Sequence, residues 1–193
     1  SFQPNMVWVK SRSQSGSNNG IVDSVRSDGS GSHPMLYTNT TSAETVAGSY
    51  FDVGGGSTPF LSNGFRVNNN DSGNKNTETF VGWSWKESTT AGFDILTYTG
   101  SGSNKTVSHG LGVKPQMMII KNRDDDENWR VYHEEIGATH SLYLQDNDSK
   151  IDANQVWNDT EPTSSVFSVG TYNSTNGDGK DYIAYCFSSV EGY

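Results

Sequence analysis

The chain has 193 residues and a formal charge of −9, with 13 Lys and Arg against 22 Asp and Glu. That balance excludes a phosphate-binding surface: nucleic acid and anionic membranes need clustered cations, and here cations are few and scattered. Hydrophobic content of 32% is thin, yet an aromatic share of 11% and 21 glycines among abundant Asn, Ser and Thr point to short strands joined by polar turns.

Taken in order, Pro4, a short apolar run to Val9, and then Lys10 and Arg12 predict a buried strand over 5–10. Residues 11–20 read as a polar loop, 21–25 as a second strand, 29–33 as a turn and 35–37 as a third short strand. From 38 to 59 the pattern is weak, with Tyr50, Phe51 and Val53 as the only large apolar anchors, which predicts a long loop with at most one short helix. Strands over 60–67 and 80–85, separated by the polar stretch 68–74, close a first module. Residues 93–99 and 106–109, joined by a Gly/Ser/Asn turn, predict a hairpin.

Beyond that hairpin the order recurs. Residues 113–123 repeat residues 2–12: Pro4 matches Pro115, Met6 matches Met117, Lys10 matches Lys121 and Arg12 matches Arg123, all at one spacing of 111 residues. Strands over 129–133, 142–144, 166–169 and 182–187 then match those at 21, 36, 65 and 80. The expected fold is all-β: two tandem antiparallel β-sandwich modules of jelly-roll or lectin-like kind, the first over 1–88 and the second over 89–193.

The 93–109 hairpin has no counterpart inside the first copy; that counterpart would precede Ser1, or one hairpin would pair with both modules. A start at Ser1, in mid-repeat and without Met, reads as a fragment or a processed product. Val7-Trp8-Val9, 117–120 and 183–187 do not alternate cleanly. Both faces of those strands therefore need cover, from the sister module or from another protomer, which points to a homo-oligomer.

Chemistry-bearing patterns are sparse. His133-Glu134-Glu135 would need its second metal-binding His at Gly137, and the next His is His140. His33 and His109 lie in unrelated loops, and the single Cys186 sits in a strand-like run, where it reads as a core residue. There is no Gly-x-Ser-x-Gly elbow, and the carboxylates fall in loops, so no catalytic residue, metal site or cofactor is expected. The acidic runs 124–127 and 178–181 could offer calcium ligands, but neither matches an EF-hand loop and solvated turns explain them. The sequons at Asn39, Asn70, Asn104, Asn147, Asn158 and Asn173 are expected by chance in a chain of this composition. The candidate binding surface is the loop 152–160 around Trp157 and the loop 173–180 beside Tyr172; the ligand-binding candidates there are Trp157, Asn158, Asp159, Tyr172 and Asn173, which could combine flat rings with amide and carboxylate partners for sugar hydroxyls. In the competing reading Trp157 and Tyr172 pin their loops to the scaffold.

The stretch Gly110-Leu111-Gly112-Val113-Lys114-Pro115-Gln116-Met117-Met118-Ile119-Ile120-Lys121, then Tyr132-His133, and the closing run from Tyr182 to Tyr193 resemble repeated β-modules in structural proteins of tailed bacteriophages, especially marine and cyanobacterial phages. The resemblance covers nearly the whole chain and is looser in the first copy, which has an enlarged 38–59 loop. It implies a non-enzymatic virion protein of tail-fibre or appendage type, with other virion proteins as partners, a homo-oligomeric (trimeric) state and attachment to a host surface glycan. It carries over no site residue and implies neither a nucleic-acid partner nor membrane insertion. A carbohydrate-binding lectin-like module and a glycan hydrolase are the alternatives.

Overall fold

The computed structural model describes residues 2–26, 33–45, 51, 58–68 and 73–191. These are all-β, in antiparallel sheets with two single-turn helices. They fall into two compact units, Ser1–Lys86 and Glu87–Tyr193.

The first unit contains β1 (Met6–Ser11), β2 (Gly20–Asp23), β3 (Leu36–Tyr37), β4 (Phe60–Leu61), β5 (Gly64–Phe65) and β6 (Phe80–Trp85). Its main sheet has the order β3-β2-β1-β6. β-Branched Val7, Val9 and Val22 turn to a core shared with Met35, Phe51 and Phe60. Of the other anchors expected in the 38–59 loop, Tyr50 and Val53 lie outside the described residues. The single strand expected over 60–67 is instead a tight hairpin, β4 on β5, because Ser62 and Asn63 supply a turn in its middle. β2 ends at buried Asp23, whose Oδ1 accepts from the amides of Val25 and Arg26 while Oδ2 takes Arg26 Nε at 2.7 Å. The other arm of Arg26 reaches Glu44 at 2.8 Å, so the buried guanidinium is paired on both sides.

The second unit contains β7 (Phe93–Thr99), β8 (Lys105–Ser108), β9 (Met117–Asn122), β10 (Arg130–His133), β11 (His140–Tyr143), β12 (Ile151–Asp152), α1 (Asn154–Trp157), β13 (Val166–Val169), α2 (Asn173–Asn176) and β14 (Asp181–Phe187). Its main sheet has the order β12-β11-β10-β9-β14-β7. Inside it, β11-β10-β9-β14 repeats β3-β2-β1-β6 in the same register. Met6 faces Asp23 and Trp85, and Met117 faces His133 and Phe187. Gly20 faces Tyr37 as Arg130 faces Tyr143. Even the bonds beyond the strand ends recur, with Arg12 N on Thr79 O and Arg123 N on Asp181 O, both at 2.8 Å.

β7 and β8 do not form the expected hairpin. β7 pairs with β14, whereas β8 pairs with β13 in a separate two-stranded sheet. Their linker explains the divergence. The Gly100 amide extends the β14 ladder onto Lys180 O at 2.7 Å, and a Cβ at Gly100 would meet Gly177 O at 2.1 Å, so the backbones touch there and only glycine fits. Buried Asn176 then takes hold of the chain: its Oδ1 accepts from Ser101 N at 2.8 Å, and its Nδ2 donates to Ser103 O at 2.6 Å and to Gly170 O. The small sheet and α1 share one core with the large sheet: Val107, Phe167, Val156 and Trp157 pack with Met118, Ile120, Ala184 and Cys186.

Asn176→Ala would leave Ser101 N and Gly170 O without a partner, and Ser103 O with the Ser101 hydroxyl alone. We expect it to destabilise the second unit by about 1–3 kcal/mol for each orphaned group that water cannot reach. Chemical denaturation of the wild type and variant, followed by tryptophan fluorescence, checks this; equal midpoints would refute it.

Candidate functional site

The candidate site lies on the second unit, where α1 meets the chain leaving β13. α1 is one turn long, with Val156 and Trp157 turned inward. It ends in two consecutive left-handed residues, Asn158 (φ 55°) and Asp159 (φ 45°), a conformation that Asn and Asp tolerate better than most. Gly170 donates to Val156 O and Tyr172 to Gln155 O, each at 2.9 Å, and a Cβ at Gly170 would strike Gln155 O at 2.3 Å. The chain after β13 is thereby laid flush against α1. From the β7–β8 linker, Asn104 Nδ2 donates to Asn158 Oδ1 at 2.6 Å.

These contacts bound an open groove of about 330 Å³, lined by Asn104, Asn154, Gln155, Asn158, Asp159 and Thr171. Every lining residue is polar. The side chains of Asn154, Gln155, Asp159 and Thr171 make no hydrogen bond among the described residues, so their donors and acceptors are available to a ligand. Amides both donate and accept, a carboxylate accepts, and a hydroxyl does both. That is a set matched to a polyhydroxylated ligand, and the Asp159 carboxylate disfavours an anionic one.

The five residues singled out from the sequence are not brought together. Asn158 and Asp159 line the groove. Trp157 does not: it is 1% exposed, packed edge-on against Tyr132 at 6.1 Å within the core, and a sugar ring has no face of it to stack on. Tyr172 is exposed on one side, while its ring covers the Arg130 guanidinium at 4.8 Å, with Tyr143 covering the same group at 4.5 Å. Asn173 donates from Nδ2 to Glu127 at 3.1 Å and begins α2. Asn154 and Gln155 fall inside the 152–160 stretch expected to carry a binding surface, whereas Asn104 and Thr171 had no distinguishing sequence signal, because each is one polar residue among many in loops. The left-handed pair after α1 was the one feature readable in principle, as an Asn-Asp step closing an apolar run.

Two charged groups of the second unit, Glu161 and Lys121, serve the fold. Burial works against the charge of Glu161, but the Lys114 ammonium at 2.8 Å, the Tyr132 hydroxyl at 2.6 Å and the Ala138 amide at 2.6 Å outweigh it and hold the carboxyl below its ordinary range. Lys121 is buried beneath the acidic 124–127 loop, donating to Asn122 O at 2.6 Å and Asp125 O at 3.0 Å. Burial lowers its pKa to about 8 despite the neighbouring carboxylates. The loop's own acids are engaged: Asp125 pairs with Lys180 at 2.9 Å, and Asp124 accepts from the Asp181 amide. Among the described residues no group of three or more His, Cys, Asp and Glu could hold a metal.

The site and scaffold define an all-β chain with a duplicated ladder and a polar groove on its second unit. Residues 1–193 match the family described as a domain of unknown function, DUF7483, and the chain belongs to it. No curated protein and no solved structure matches it.

Because Trp157 fills the second core, Trp157→Ala should cost about 3–5 kcal/mol in unfolding free energy. Denaturant titration measures this. An unfolding midpoint that stays put would place the indole outside the core.

Proposed function

We propose that this chain is a non-enzymatic structural and attachment module of a tailed-phage virion appendage, tail-fibre-like, whose second unit binds a host surface glycan. The observation that carries the glycan part is the groove: six polar side chains in one concavity, four of them with unengaged polar ends. The virion part rests on the resemblance of the repeated segments to phage β-modules. It is supported by one ladder built twice in the same register while the loops diverge, as suits a scaffold that varies its tips.

In this reading each unit is an antiparallel sandwich of jelly-roll or lectin-like kind. Supporting it in the second unit, residues of the large sheet and of the β8–β13 pair share one core. Supporting it in the first, Phe60 and Phe65 of the β4–β5 hairpin pack with Val7, Val9 and Val22. A glycan hydrolase is disfavoured because retaining or inverting cleavage needs two carboxyl groups, one of them kept protonated. The groove has the single acid Asp159, and nearby Glu161 is held ionised.

Gln155→Ala and Asp159→Asn, on a host-glycan array, should each weaken binding about tenfold, the equivalent of one lost hydrogen bond to a charged or amide partner. Unfolding midpoints should be unchanged. Binding that survives both substitutions would remove the glycan reading, and absence of the chain from mass spectra of purified virions would remove the virion reading independently.

The appendage reading also implies a homo-oligomer, trimeric if it builds a fibre. Sedimentation equilibrium should give three times the chain mass, and a monodisperse monomer at micromolar concentration would defeat this part.

A further inference from the structure

The duplication puts two equivalent strands, β6 and β14, at the same place in their sheets, and they differ in what lies beside them. β14 has β9 on one side and β7 along its whole length on the other. β6 has β1 alone. Thr79 O and Trp85 O face β1, where they accept from the amides of Arg12 and Asn5 at 2.8 Å. By strand alternation the N–H and C=O groups of Phe80, Gly82 and Ser84 point away from the sheet. Among the described residues nothing bonds them. The equivalent groups of β14, on Tyr182, Ala184 and Cys186, face Tyr98, Leu96 and Asp94 of β7.

The side chains record the same difference. Tyr182, Ala184 and Cys186 are all 0% exposed, whereas Phe80 is half-buried and Gly82 and Ser84 are exposed. Leu96 and Tyr98 of β7 close the flank of the second core. Among the described residues the first core has no such strand, and its flank shows the half-buried rings of Phe65 and Phe80, with Phe65 lying over Gly82. Exposed edges are ordinarily guarded by a charge, a proline or a bulge. Phe80–Trp85 has none of these. The outer edge of β7 is instead closed at both ends, by the Ser88–Phe93 bridge and by Lys105 Nζ on Thr99 O at 2.8 Å.

We propose that β6 is a strand-acceptor edge that takes one antiparallel strand of the β7 kind, supplied by another module of this family. Its chemistry is set by the occupied slot: a segment like Phe93–Thr99, with large apolar side chains where β7 carries Leu96 and Tyr98, which would cover Phe65 and Phe80. Main-chain bonds to Phe80, Gly82 and Ser84 supply affinity, and the alternate side chains supply selectivity. The donor is not among the described residues, which hold two acceptor edges and one strand of that type, already seated on β14.

The test uses the 193-residue chain and a synthetic peptide with the sequence of residues 92–100, read by residue-resolved hydrogen exchange. Saturating peptide should slow exchange of the Phe80, Gly82 and Ser84 amides about tenfold or more and leave the β14 amides unchanged. A peptide with Asp at the Leu96 and Tyr98 positions should not. Ser84→Pro removes one outward N–H without touching the β1 ladder and should abolish the protection with unfolding unchanged. If that variant does not fold, the Asp peptide decides. No protection at about millimolar peptide overturns the proposal. So does protection that appears without peptide and grows with chain concentration, because the edge would then be closed by a second copy.

Discussion

The second unit depends on one buried carboxamide. An amide taken out of water is tolerable only if its donors and acceptors are met, and Asn176 meets them with two segments at once, the β7–β8 linker and the end of β13, while its backbone carbonyl adds a second hold on the linker by accepting from Gly102 N. The consequences run outward from it. The linker cannot turn back into a hairpin, so β7 stays with the large sheet and β8 crosses to β13. The end of β13 is held where it runs along α1, and Asn104 is carried to the mouth of the groove. α2 itself is fastened by two tyrosines, Tyr98 bonding Thr175 O and Tyr182 bonding Asn173 O, each at 2.6 Å. Burial raises the pKa of both phenols, that of Tyr182 to about 12, so the hydroxyls stay donors well above neutral pH.

The duplicated ladder and the added layer carry different duties. Four strands recur with the same partners, and there the two sequences agree in kind: Met6 and Met117, Val7 and Met118, Val9 and Ile120. Everything that forms the groove comes from the layer around that ladder, where the copies have diverged. A binding surface in such a place can change without disturbing the ladder, since its one lining-to-lining side-chain bond, Asn104 to Asn158, joins two loops and none of the four ladder strands.

The ladder was legible from the residues because strand periodicity and the repeat reinforce each other; strands over 80–85 and 166–169 stand where the apolar runs placed them. What was not legible depends on contacts distant in sequence. The 93–109 segment has the composition of a hairpin, and only the bonds to Asn176, more than 70 positions away, send its halves to different sheets. The 60–67 strand was broken by the turn residues Ser62 and Asn63, a local signal overridden too readily by the flanking aromatics. Trp157 was ambiguous for a simpler reason: a tryptophan beside Asn and Asp has the same composition whether its ring faces a ligand or the core. Asn158 and Asp159 could be found because the polar partners of a ring remain outside when the ring goes in.

The one thiol in the chain has a further use. Cys186 lies on β14 between β7 and β9, with no exposed surface, and burial together with Asp94 pushes its ionisation far up. Its side chain lies in the core with Val107, Val156, Trp157 and Phe167, so a thiolate-seeking reagent can meet it only after that core has opened. Alkylation of this chain therefore counts openings of the second core, and mass added per unit time is a clock for that event.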